Sequence, residues 1–165
     1  TYPAQFCRNT GIQLLSLGCS GNCKMQSYFA DALVNAPDID AFIFDSFSNP
    51  TIEEIRERLF PFIEKLQGAH PGKPLIFQHT IYRERRNFDL ATEKNESERM
   101  RVVDELMAEA VKRYKDVYYV TTTNATSPKH DTSVDGTHPG DHGYSLWAES
   151  IQKPILKILR KYGIR

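Results

Sequence analysis

At 165 residues the chain has room for one domain with a sizeable core. Hydrophobic residues make up 40% and charged residues 25%, which excludes disordered and fibrous classes. Lysine plus arginine and aspartate plus glutamate number 21 each, so the formal net charge is zero and nothing favours a nucleic-acid or anionic-membrane partner. No apolar run approaches the roughly 20 residues that cross a bilayer, so no membrane span is expected. The sequence shows no charged segment leading into an apolar signal-peptide core, although the mature part of an exported protein would look the same. Cys7, Cys19 and Cys23 are an odd count and cannot all pair with one another. A Cys19–Cys23 bridge is allowed but not demanded, so cysteine usage leaves the compartment open.

In chain order, Tyr2 to Asn9 reads as the tail of a helix stopped at Gly11. Ile12 to Leu17 is a short apolar run ending in Gly18, expected as a buried strand. Met25 to Asn35 carries Met25, Phe29, Ala32 and Leu33 at helical spacing and ends before Pro37. Ala41 to Phe44 is the next strand, followed by the loop Asp45 to Pro50. Thr51 with Glu54 three positions on forms a capping box. Behind it Ile52, Ile55, Leu59, Phe62, Ile63 and Leu66 make a helical stripe, with a kink expected at Pro61. Gly72-Lys73-Pro74 leads into the strand Leu75 to Gln78.

The arginine-rich stretch Tyr82 to Leu90 has no strong period and reads as a polar loop. A helix follows, with Met100, Val103, Met107, Ala110, Val111 and Tyr114 as its apolar stripe. Val117 to Val120 is rich in β-formers. A long polar loop over 121–133 separates it from Asp135. The last helix, capped by Asp141, presents Leu146, Trp147, Ile151, Ile155, Ile158 and Leu159. No repeat, low-complexity tract or linker breaks the chain, so residues 1–165 read as one domain.

Strands that alternate with helices and are apolar on both faces imply an α/β fold, a parallel sheet with helices on each side. Ligands of such sheets bind beyond the carboxyl ends of the strands. Gly21, Asn49, His79 and the pair Asp135/His138 all stand in loops at that edge. Asp135 and His138, in Val134-Asp135-Gly136-Thr137-His138-Pro139, carry the plainest chemistry. A carboxylate three residues before a histidine can accept the imidazole Nδ1–H and leave Nε2 free to take a proton. Taken alone, the same spacing also describes a turn with a surface histidine.

Three segments together resemble the SGNH hydrolases, the GDSL-like esterase and acylhydrolase superfamily, and most nearly its bacterial branch. They are Leu17-Gly18-Cys19-Ser20-Gly21-Asn22, Asp45-Ser46-Phe47-Ser48-Asn49-Pro50, and Asp135 to His138 with Pro139. The resemblance runs from about Tyr2 to the C-terminal helix. It implies a flavodoxin-like sheet of order 2-1-3-4-5 and an ester hydrolase needing no metal or organic cofactor. It places oxyanion-hole roles on Gly21 and Asn49, the base on His138 and its orienting partner on Asp135. Ser20 and His79 are expected to line the substrate site. The substrate implied is a small-molecule or carbohydrate ester, an O-acetylated glycan first, and the setting periplasmic or extracellular.

The residue types suit that chemistry. Ester hydrolysis needs a hydroxyl activated by a base and donors aimed where the tetrahedral oxyanion forms. Glycine at 21 lets a backbone N–H approach substrate with no Cβ in the way, and Asn49 offers a side-chain amide. Cys23 departs from the glycine common at its position in this branch. The family's G-x-S block, which carries the nucleophile after the first strand, has no counterpart in residues 1–165 and is expected upstream of Thr1. Ser20 is a poor substitute, because a G-x-S-x-G elbow needs glycine where Asn22 stands. Two other readings compete. Cys19-x3-Cys23 with His138-x3-His142 could supply four zinc ligands, although Asp135 is better explained as the partner of His138. A non-catalytic module that binds a glycan or protein would also keep the pocket.

Overall fold

The computed structural model describes residues 1–122, 125–128 and 131–165. Of the loop expected over 121–133, residues 123, 124, 129 and 130 therefore lie outside the described residues. Among the described residues five helices and three strands follow one another as α1 (Tyr2–Thr10), α2 (Ser27–Val34), β1 (Phe42–Phe44), α3 (Ile52–Ala69), β2 (Leu75–Gln78), α4 (Leu90–Arg113), β3 (Val117–Val120) and α5 (Asp141–Leu159). A short 3-10 turn, Glu84–Asn87, stands between β2 and α4.

The strands form one parallel sheet in the order β1-β2-β3, with Phe42 opposite Leu75 and Leu75 opposite Val117. Because strand side chains alternate, the sheet feeds two cores. Phe42, Phe44, Leu75, Phe77 and Val117 pack with α2, α3 and α4. Ile76 and Val120 pack with Phe6 of α1 and Trp147, Ile151 and Ile155 of α5. This is an α/β sheet covered by helices on both faces. Its parallel sense puts the loops after β1, β2 and β3 at one edge.

Local signals explain most element ends. Thr51 Oγ1 accepts from the Glu54 N–H at 3.2 Å while Glu54 Oε2 accepts from the Thr51 N–H at 2.9 Å, completing the capping box. Gly11 closes α1 at φ 74°, a conformation that glycine takes without strain. Asp89 Oδ1 caps α4 through the Ala91 and Thr92 N–H groups, so that helix begins earlier than its apolar stripe suggests.

Several expectations are corrected. Residues 12–17 belong to no ladder among the described residues. They keep a strand's alternation at first, since Ile12 and Leu14 lean on the α1–α5 core. Leu15 and Leu17 are 77% and 48% exposed, because the apolar run has no strand beside it to pair with. Helix α2 starts at Ser27 rather than Met25, since Met25 takes a left-handed φ of 53°. Helix α3 runs through Pro61, which stands on its exposed side at the position where a kink is expected. Val111 is 43% exposed and lies off the buried stripe of α4. Gly140, not Asp141, occupies the N-cap of α5, and Asp141 stands in the first turn. There its carboxylate meets the positive end of the helix dipole.

Candidate active site

Asp135 and His138 meet as their spacing suggests. His138 Nδ1 lies 2.7 Å from Asp135 Oδ2, while Asp135 Oδ1 accepts the backbone N–H groups of Thr137 at 2.8 Å and His138 at 2.7 Å. The bond from the imidazole, then those two backbone donors, hold the Asp135 carboxyl well below the usual carboxylate range. The imidazole side chain is 73% exposed, and Nε2 has no hydrogen-bond partner among the described residues. A carboxylate accepting at Nδ1 selects the tautomer whose Nε2 can accept a proton.

The loop bearing this pair is fixed by the turn after β2. Glu84 is buried and accepts four hydrogen bonds, from the N–H and hydroxyl of Thr132 and the N–H and hydroxyl of Ser133. Burial would raise the Glu84 pKa, but these donors outweigh it and the carboxyl titrates below its ordinary value. The Arg85 N–H donates to Gly136 O at 2.8 Å. A Cβ on Gly136, whose φ is 77°, would sit 2.9 Å from Arg85 N, so both conformation and space require glycine. Ser133 bridges to Pro139, and the Gly140 N–H donates to Thr132 O at 2.8 Å, closing the loop from behind. Beside Asp135 opens a cleft of about 600 Å³ lined by Arg85, Phe88, Val134 and Gly136 among others.

The other segments join through a chain of contacts. The turn around Gly21 is closed by the Asn22 N–H to Cys19 O at 3.0 Å and Asn22 Nδ2 to Ser20 O at 2.9 Å. Gly21 takes φ 71°, and no heavy atom lies within 4 Å of where its Cβ would stand, so its backbone faces open space. Cys23 Sγ and Ser46 Oγ, 3.2 Å apart, tie this turn to the loop after β1. Ser48 Oγ and Thr80 Oγ1, 3.4 Å apart, tie that loop to the one after β2. Glu84 and Arg85 then reach the Asp135 loop. Asn49 lies on the loop after β1, exposed, immediately before Pro50.

Ser20 is exposed, and among the described residues its hydroxyl makes no hydrogen bond with His138. His79 faces α4. Its Nδ1 is 2.6 Å from Thr80 O, and its Nε2 is 3.9 Å from Asp104 Oδ1, which also accepts from Tyr119 Oη at 2.8 Å. The three cysteines are free thiols. Among the described residues no group of three or more His, Cys, Asp or Glu side chains could hold a metal ion.

Asp45, directly after β1, was not singled out from the sequence. Its residue is half-buried, but Oδ1 is enclosed and finds no hydrogen-bond donor. Burial pushes its pKa up to about 6, against the opposing pull of the Arg83 guanidinium and a hydrogen bond from Ser48. The folded protein thus binds the Asp45 proton more tightly than the unfolded chain does. Stability from this group is full below the unfolded value near 4 and is lost as pH rises through about 6. The loss expected is about 2–3 kcal/mol. Urea midpoints at pH 4 and pH 7 for the parent and Asp45→Asn check it. The variant should lack this part of the fall, and an identical fall in both would refute the assignment.

The fold is that of an α/β protein, and the loops that follow the strands of its parallel sheet carry a carboxylate–imidazole pair and an exposed asparagine. The model of the GDSL-like lipase/acylhydrolase family matches residues 1–157, and the chain belongs to that family. Among solved structures it resembles a GDSL-like lipase candidate from Bacteroides ovatus, at 34% identity and a TM-score of 0.88, over 96% of this chain and 47% of that one. It also shares the fold of a salicylyl-acyltransferase, SsfX3, from a tetracycline biosynthetic pathway, at 20% identity and a TM-score of 0.72, over 100% of this chain and 50% of that one. The chain thus spans about half the length of these solved structures. No curated protein matches it.

Proposed function

We propose that the chain supplies the base and the oxyanion donors of a serine esterase acting on carboxylic esters. The observation that carries this is the Asp135–His138 pair, with 2.7 Å between Nδ1 and Oδ2 and Nε2 unengaged. In this reading His138 Nε2 takes the proton of a serine hydroxyl as its oxygen bonds to the ester carbonyl carbon. The carbonyl π electrons move to oxygen, and the Gly21 N–H and the Asn49 amide stabilise that oxyanion. His138 then returns the proton to the departing alcohol. Water repeats the sequence to release the acid. An alcohol in place of water would make the same site an acyltransferase, the activity named for the more distant structural neighbour. Small O-acetylated carbohydrates are the first substrates to try, with Ser20 and the cleft beside Asp135 as the surroundings of the alcohol portion.

A binding module is the competing reading, and it draws on the lack of a serine hydroxyl at His138 among the described residues. A fluorophosphonate probe decides between the two in the full-length protein. The esterase reading expects one serine to be labelled, located by peptide mass spectrometry, with labelling abolished in His138→Ala. An unlabelled protein that turns over no acetyl ester but retains glycan binding would leave the module reading standing.

A further inference from the structure

Behind the Asn49 loop lies a cluster of charged side chains that the reaction itself does not use. Glu96 and Arg99 of α4 are 5% and 8% exposed, one turn apart, and Arg83 reaches them from the loop after β2. Glu96 Oε1 accepts from Arg83 Nη1 at 2.9 Å and also from Arg99 Nη2. The free ends of both guanidiniums go to backbone carbonyls. Arg83 Nη2 donates to Ser48 O at 2.8 Å, and Arg99 Nη1 donates to Pro50 O at 3.3 Å. Those two carbonyls belong to the residues on either side of Asn49.

Such an arrangement is expensive for stability alone. Each buried ion loses several kcal/mol of hydration, and apolar side chains of similar volume commonly do as well or better. Arg99 also leaves its Nε buried without a partner. The cluster does achieve placement of the backbone. Bonds from charged donors are about twice as strong as neutral ones, and a guanidinium holds a carboxylate and a carbonyl from one rigid planar fork, a fixed geometry that a flexible ammonium lacks. Pro50 already confines Asn49 to extended backbone, so clamping both neighbouring carbonyls leaves the asparagine little freedom. Its own side chain stands exposed at the carboxyl edge of the sheet. The two arginines and one glutamate sum to one positive charge, and Asp45, which feels the Arg83 charge, offsets it.

We infer that Arg83, Glu96 and Arg99 are positioning residues: a guanidinium–carboxylate–guanidinium triad, buried at Glu96 and Arg99 and half-buried at Arg83, that fixes the backbone on both sides of Asn49 and so aims its amide at the reacting carbonyl. This rests on the oxyanion-hole reading of Asn49. Misplacing such a donor by about 1 Å can cost about a hundredfold in rate.

The test is a double-mutant cycle in the full-length enzyme, with Arg83→Lys as the first variant and the near-isosteric Glu96→Gln as the second in case the first fails to fold. Either variant should lower kcat about tenfold to a hundredfold with KM within a factor of about two. In an Asn49→Ala background the same change should alter kcat less than about twofold, since its route of action is already gone. An equal loss in both backgrounds would make the triad a general structural support and overturn the inference. A second readout needs no activity: the Asn49 side-chain amide signals in a ¹H–¹⁵N spectrum of this chain, identified by their disappearance in Asn49→Ala. They should shift in Arg83→Lys or Glu96→Gln, and unmoved signals would overturn the positioning role whatever Asn49 does. Shifted signals with undiminished kcat in Asn49→Ala would instead overturn the oxyanion-hole reading, and the catalytic consequence of the triad with it.

Discussion

His138→Ala is expected to remove ester turnover almost entirely, by roughly four to six orders of magnitude in kcat, while leaving the melting temperature unchanged. The two halves of that expectation have separate causes. The imidazole side chain is 73% exposed and, among the described residues, is bonded only to Asp135, so its loss opens no cavity in either core. Catalysis depends on it because its Nδ1 is held by Asp135 while, among the described residues, its Nε2 is left unengaged to take a proton. Asp135→Asn should cost less, roughly three to four orders, because the carboxylate orients and stabilises the imidazolium without taking the proton itself. The asparagine oxygen could keep the two backbone bonds now made by Asp135 Oδ1, preserving the loop. Its amide would then face Nδ1 and favour the wrong tautomer. Steady-state kinetics beside thermal unfolding separate these effects, and full activity in both variants would rule the mechanism out.

What the sequence made legible was local. The Thr51–Glu54 capping box and the Asp135–His138 pair are three residues apart, so their geometry follows from short stretches of backbone. The strands ending at Phe44, Gln78 and Val120 were legible because apolar, β-prone runs between helices have few other places to go. The run 12–17 shows the limit of that reasoning. Its pattern states that it prefers a partner strand but not where a partner lies, and among the described residues the sheet pairs β1 only with β2. The supports of the site were illegible for a related reason. Glu84 and Arg83 sit in a stretch read as a featureless polar loop. Glu84 finds Thr132 and Ser133 across 48 and 49 residues, and Arg83 finds Ser48 across 35. An excess of arginines in a loop is the one available signal, and it does not say which carbonyls they hold. Asp45 was passed over because nothing local reveals that one of its oxygens would be enclosed without a donor.

Asn49→Ala is expected to lower kcat by roughly two to three orders of magnitude, about 3–4 kcal/mol of barrier, with little change in KM. The split between the two constants is the informative part. A ground-state ester carbonyl carries only partial charge and is accommodated without a strong donor, whereas the tetrahedral oxyanion concentrates a full charge at the oxygen. An amide aimed at the second position therefore acts mainly on the transition state. Stability should barely move, since the Asn49 side chain is exposed while the neighbouring carbonyls stay clamped by Arg83 and Arg99. Alanine before Pro50 keeps the extended backbone that this position requires. Asn49→Asp makes the sharper comparison. It retains size and shape but places a negative charge where negative charge develops, so its kcat should fall below that of the alanine variant. Should KM rise alone while kcat holds, Asn49 binds substrate in its ground state, and the second oxyanion donor lies elsewhere on the carboxyl edge of the sheet.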